Sequence, residues 1–183
     1  MDLEKRLNHR LVIQNDANCF AMAEAMLGAG RGKSMVFGVI MGTGCGGGIV
    51  CDGKVITGLQ AIAGEWGHMS IDPNGPDCYC GARGCVETLI SGSGLEKMWK
   101  HLHKEPRSLK EIVQSFRTGD EKAEAFMNTF FHNFGRAMAN LITVLDPDIV
   151  IIGGGLSNIE ELYTRGWTRS VNAFSVIHLK HPS

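Results

Sequence analysis

Residues 65–87 read "EWGHMSIDPNGPDCYCGARGCVE", and within them stand His68, Cys78, Cys80 and Cys85. From about residue 58 to 86 the chain is rich in Gly, Pro and Cys and has little helical period. An irregular stretch of that length needs something besides an apolar core to hold it. Three thiols and an imidazole supply four ligands of the kind zinc takes in a tetrahedral structural site. No coordination position is left open, so the expected ion is structural rather than catalytic. Gly81 and Gly84 lie between the last two thiols, where the backbone must turn tightly around the ion and positive φ is expected. Disulfides are the weaker reading: the N-terminus "MDLEKRLNHR" is charged and lacks the apolar centre of an export signal. A cytoplasmic location follows by default. The remaining thiols, Cys19, Cys45 and Cys51, read as small core residues.

Outward from this stretch the pattern alternates strands and helices. "RLVIQN" (10–15) reads as a short strand, and "DANCFAMAEAMLGAG" (16–30) as a helix closed by glycines. "SMVFGVIMG" (34–42) is a continuous apolar strand, and "GGGIVCDGKVITG" (46–58) a hairpin turning at Asp52-Gly53. Helices resume near residue 86. In 120–147 the residues Ala123, Phe126, Met127, Phe130, Phe131, Phe134, Met138, Leu141, Ile142 and Leu145 recur at threes and fours, up to Pro147. That stripe is either core or a helix packed at a dimer interface. "DIVIIGGG" (148–155) reads as a buried strand running into a glycine turn, with helix-like segments from about 157 to 177. Strands followed by helices, with glycines at strand ends, imply an α/β layer structure. The net charge of −1 gives no electrostatic footprint for nucleic acid. No apolar run approaches the roughly 20 residues that cross a bilayer.

Taken alone, Asp16 reads as a helix cap, and Glu65 and Glu87 as surface charges. Trp66 packs against a pocket or caps the cysteine loop. "MGTGCGGG" (41–48) reads as a hairpin turn; it lacks the Gly-Lys-Ser/Thr of a phosphate loop and the crossover helix of a dinucleotide fingerprint.

Together, "EWGH" with "CYCGARGCVE", "NDAN" (15–18), "GTGCGGG" (42–48) and "DPDIVIIGGGLS" (146–157) resemble, in order, the blocks of the ROK family of repressors, open reading frames and sugar kinases. Within it the chain looks most like bacterial fructokinases and related hexose kinases, which leaves fructose, glucose, mannose and N-acetylglucosamine as candidate acceptors. The resemblance implies an actin-like, hexokinase-like ATPase fold (ribonuclease H-like) of two lobes, with phosphate passing from MgATP to a sugar hydroxyl in the cleft. It implies Asp16 as the base that accepts the hydroxyl proton, a role that suits a carboxylate ionised at neutral pH. Asn15, Glu65, His68 and Glu87 resemble the sugar contacts, Thr43 and Gly44 the residues near the phosphates, and Gly153, Gly154 and Gly155 the loop near the nucleotide. If one ring nitrogen of His68 holds zinc, the other is an N–H donor of fixed direction.

The chain departs from the family at both ends. No Asp-x-Gly-Gly-Thr motif is found, "NDAN" stands at position 15, and the sequence stops at "HLKHPS". Residues 1–183 are therefore expected to be the large C-terminal lobe, with little kinase activity unless the small lobe is supplied, and a homodimer is expected. The alternative is the sugar-sensing domain of a ROK transcriptional regulator, which meets nucleic acid only through a separate DNA-binding domain. A third reading, a zinc-stabilised dimerisation module, predicts no sugar binding.

Overall fold

The computed structural model describes residues 3–11 and 13–166. Four strands form one mixed sheet in the order β3-β2-β1-β4. Strand β1 (Met35–Met41) pairs antiparallel with β2 (Cys45–Cys51), which pairs antiparallel with β3 (Lys54–Ile56). The β2–β3 turn is Asp52-Gly53, with φ of 48° and 72°, the left-handed pair that a two-residue hairpin requires. On its other edge β1 pairs parallel with β4 (Ile149–Gly153). One Asp148 oxygen accepts the amides of both Ser34 and Met35 at 2.8 Å and so ties the two strand starts together.

Alternation along the strands divides the core. Val36, Val50, Ile149 and Ile151 pack with Ala21 and Ala25 of helix α2 (Asp16–Leu27) on one face. Phe37, Val39, Met41, Val150 and Ile152 pack on the other with α3 (Val86–Ile90), α4 (Gly92–His103), α5 (Leu109–Arg117) and α6 (Glu121–Leu145). A sheet buried on both faces explains why 34–42 and 148–153 read as unbroken apolar runs. Along α6 every member of the expected stripe up to Ile142 is buried, and Leu145 packs half-buried against the same cluster. The stripe is this chain's own core. Asp120 caps the helix by accepting the Ala123 amide at 2.8 Å, and Asp146 closes it at φ 41°.

Two expectations need correction. Residues 10–15 form no strand among the described residues: Ile13 is exposed, the Leu11 amide goes to Glu4 of a short helix α1 (Leu3–Leu7), and the Asn15 amide goes to Gln14. β-branched composition invites a strand, but among the described residues no strand pairs with this segment. Cys19 is exposed on α2 and Cys51 half-buried, so only Cys45 is a core thiol. After β4 the expected helix-like segments begin as a 3-10 turn over Gly155–Asn158 and a single π turn over Leu162–Gly166; the expected segments beyond 166 lie outside the described residues. Among the described residues no helix is long and apolar enough to cross a membrane.

Candidate functional site

The glycines of β2 decide how the site assembles. A Cβ at Gly48 would stand 2.6 Å from the Ala17 carbonyl oxygen, and one at Gly38 2.8 Å from Ala21, so α2 lies directly on the sheet. On the opposite face a Cβ at Gly47 would stand 2.7 Å from the Trp66 ring and 2.9 Å from the Gly64 carbonyl oxygen. The loop before the cysteines is therefore pressed onto the strand from that side. Trp66 donates Nε1–H to the Gly46 carbonyl at 3.0 Å and meets Phe37 edge-on at 5.9 Å, which makes it the anchor between loop and sheet. The glycine run read as a turn is mostly strand, and its bareness serves packing on both faces.

These contacts carry the expected polar residues to one place. Asn15 is the cap of α2, its Oδ1 accepting the Ala17 amide at 2.8 Å, and Asp16, the first helical residue, accepts the same amide at 2.8 Å. Asn15 donates Nδ2–H to Glu65 Oε1 at 3.4 Å, joining the helix start to the loop. Glu87, in the first turn of α3, accepts the Cys45 amide at 3.0 Å, and a Cβ on Gly44 would meet that same carboxylate at 2.8 Å. Burial, followed by the charge of Glu87, holds the Cys45 thiol far above its ordinary range, so it stays a neutral core group.

The four expected metal ligands converge, with one ligand atom of each of His68, Cys78, Cys80 and Cys85 within 4.8 Å of the others. His68 Nδ1 lies 3.6 Å from Cys78 Sγ, and Cys80 Sγ lies 3.6 Å from Cys85 Sγ. A tetrahedral ion with bonds of about 2.3 Å to sulfur needs donor separations of about 3.8 Å, so the set fits zinc. Gly81 and Gly84 take φ of 91° and 59°, and a Cβ at Gly84 would strike the Asp72 carbonyl. Burial, then hydrogen bonds to the neighbouring thiols, pushes Cys85 up to about 12, whereas hydrogen bonds, first from the Ala82 backbone, lower exposed Cys80. Bound zinc would take His68 Nδ1 and the three thiolates and supply structural charge only. The other ring nitrogen of His68 meets Tyr79 Oη at 2.8 Å. Sequence reasoning missed Tyr79, because nothing in "CYC" tells where the middle side chain turns.

Beside the hairpin lies a cavity of about 720 Å³, bordered by Thr43, Ser93, Lys110, Gln114, Gly155 and Asn158 among others. Its size suits a nucleotide. Of the five residues expected there, Thr43 and Gly155 border it, and Gly44 faces Glu87 instead. Gly153 and Gly154 answer to packing: a Cβ on Gly153 would stand 2.7 Å from the Phe20 ring, and Gly154 (φ 84°) abuts the Met41 carbonyl. Ser93, Lys110 and Gln114 went unread. The available signal was "SGSG" at 91–94, where Ser91 caps α4 and Ser93 Oγ donates to the Thr43 carbonyl at 2.7 Å.

A mixed sheet between helices, a His-Cys₃ cluster and a cleft beside the β1–β2 hairpin define an α/β protein of hexokinase-like architecture. The ROK family model matches residues 1–182, and the chain belongs to the ROK family. It is 39% identical over 172 residues to the N-acetyl-D-glucosamine kinase of Pectobacterium carotovorum, covering 88% of this chain and 57% of that one. The chain thus spans little more than half of that relative's length. A ROK hexokinase from Thermus thermophilus superposes with a TM-score of 0.90 at 32% identity, over 97% of this chain and 63% of the other. A ROK family transcriptional regulator homologous to the E. coli MLC protein superposes with a TM-score of 0.81 at 25% identity, over 97% of this chain and 49% of the other. The Pectobacterium relative is an N-acetyl-D-glucosamine kinase, which gives no specific support to the fructokinase reading.

Proposed function

We propose that residues 1–183 form the large lobe of an ATP-dependent kinase whose acceptor is an N-acetylated amino hexose. The observation that carries this reading is the meeting of Asn15, at the cap that presents Asp16, with Glu65 of the zinc loop. Carboxylates and amides aimed from separate elements suit the vicinal hydroxyls of a sugar, and Asp16 is exposed at their edge. In this reading Asn15, Glu65, His68 and Glu87 hold the sugar, and the Asp16 carboxylate takes the proton of the reacting hydroxyl. That oxygen attacks the γ-phosphorus as the bond to the β,γ-bridging oxygen breaks, giving sugar phosphate and ADP. Thr43, Gly155 and the cavity between α4 and α5 receive MgATP. The N-acetyl preference rests on likeness to the Pectobacterium enzyme.

A second reading, the sugar-sensing domain of a regulator, is favoured by the superposition on the regulator structure. One experiment separates the two. The chain, fused behind the small lobe of the Pectobacterium kinase, is given N-acetylglucosamine and ATP in a coupled assay. Turnover that Asp16→Asn reduces by about 10²–10⁴-fold while sparing sugar affinity is the expected result. Sugar binding without turnover selects the regulator, and no sugar binding removes both.

A further inference from the structure

His68 faces two ways. Its Nδ1 lies among the thiols, 3.6 Å from Cys78 Sγ, and its Nε2 lies 2.8 Å from Tyr79 Oη. The two rings also meet edge-on, with centroids 4.9 Å apart at 87°. A neutral imidazole that offers the Nδ1 lone pair to an ion carries its proton on Nε2. With an ion on Nδ1, Nε2–H would donate and the phenol oxygen would accept. This is the N–H that the proposed sugar site needs for a hydroxyl, and it is already engaged.

Tyr79 is poised to let go. Tyr79 is 81% exposed, and His68 is the partner of its hydroxyl. Its backbone is held between two metal ligands, Cys78 and Cys80, and the Cys78 amide is bonded to the Ala82 carbonyl at 2.8 Å. The ring can rotate about its side-chain bonds while its Cα stays fixed. Beside it opens a cleft of about 700 Å³, bordered by Glu87, Lys97, Met98 and His101, with room for a displaced phenol.

We propose that Tyr79 is a specificity-determining residue that broadens the range of acceptors, its hydroxyl standing in for a sugar hydroxyl on His68. The inference rests on the sugar-site reading above. A site built to hydrogen-bond a hydroxyl normally rejects an analogue lacking it, because the donor is left unpaired. Here the donor returns to Tyr79, and the penalty falls away. The complete sugar, in turn, must displace the phenol, so its advantage shrinks to the difference between two similar hydrogen bonds. Tyr79 thus lowers affinity for the best acceptor and spares poorer ones.

Tyr79→Phe keeps the ring and its edge contact and deletes only the hydroxyl. The experiment is calorimetry with N-acetylglucosamine and each of its monodeoxy forms, on the zinc-loaded 183-residue chain and on the fused protein. Affinity for the parent sugar is expected to rise roughly two- to tenfold in Tyr79→Phe, the worth of one net hydrogen bond. One deoxy form, lacking the hydroxyl that His68 serves, gains nothing, while the other deoxy forms follow the parent. The ratio of parent to that one form widens accordingly. In the fused protein the change lies in KM, with kcat unaltered. A uniform shift for every sugar, a fall in affinity for the parent, or no change would overturn the proposal. Zinc content and melting temperature, measured alongside, reveal a variant altered through its metal loop, and Tyr79→Leu, which removes the ring as well, should then give the same widened ratio. If the wild-type protein binds none of these sugars, the sugar-site reading fails first and Tyr79 has no role to play.

Discussion

Phe130, Phe131 and Phe134 on α6 are sealed among apolar neighbours, whereas Tyr79 and Cys80 in the cysteine loop stand exposed. The sheet and its helices are held by contact area, spread over the larger of two clusters from Phe37 to Leu162. The stretch from residue 58 to 85 buries little beyond Trp66, Ile71 and two of the thiols, and it is fastened at a few points. Those points include the glycine contacts on β2, the Trp66 and Asn15–Glu65 hydrogen bonds, the Arg136 guanidinium of α6 on the Ile71 carbonyl, and the His-Cys₃ centre. A contact-held region loses stability by degrees, while a region held at points loses its shape when one point goes. The proposed sugar contacts Glu65, His68 and Glu87 sit in or against the second kind of region.

Removing the metal should separate the two regions most sharply. Chelation, or Cys85→Ser, is expected to abolish sugar binding while far-ultraviolet circular dichroism keeps most of the helix signal; joint collapse of both regions would merge them into one. Zinc affinity should rise with pH, because binding needs thiolates and the metal-free Cys85 thiol sits at about 12. The metal-free loop should behave in the opposite sense. Its neutral Cys85 contributes fully below the ordinary thiol range, and that contribution is lost as pH rises toward about 12. Metal titrations and melting curves across pH read both signs.

Phe130→Ala should cost about 3–5 kcal/mol by denaturant melting, lowering the stability of the whole chain without changing zinc stoichiometry. Gly47→Ala tests the seam between the regions. Its new methyl would press Phe37 and Trp66 apart, costing about 1–3 kcal/mol and weakening sugar binding more than zinc binding. Smallest of all, Asp120→Ala removes one cap from α6 and should cost about 1 kcal/mol, with sugar and zinc affinities unmoved.

The same division governs what could be read from the letters alone. Strands β1 and β4 and helix α6 announce themselves because period and apolar run are local properties of the chain. The four metal ligands are legible for the same reason, since spacing and ligand chemistry do not depend on the rest of the fold. Partners across the fold leave no such trace. Nothing in "CGGGIV" says that Gly47 must admit Trp66 while Gly48 admits Ala17, nor that the side chain after Cys78 returns to His68. Leu11 and Ile13 mislead in the opposite direction, because strand-forming side chains were read without asking which edge would receive them.

The β1–β4 pairing has a consequence for how this chain is made. Val36 bonds across to the neighbourhood of Ile149, so a strand synthesised early waits for one made over a hundred residues later. Until then β1 has β2 on one side and a bare row of amides and carbonyls on the other. Closing so long a loop is slow, and an apolar strand with an open flank invites pairing with other chains. A ribosome-bound nascent chain halted before β4 emerges should therefore engage chaperones through this flank and release them once Ile149–Gly153 is free.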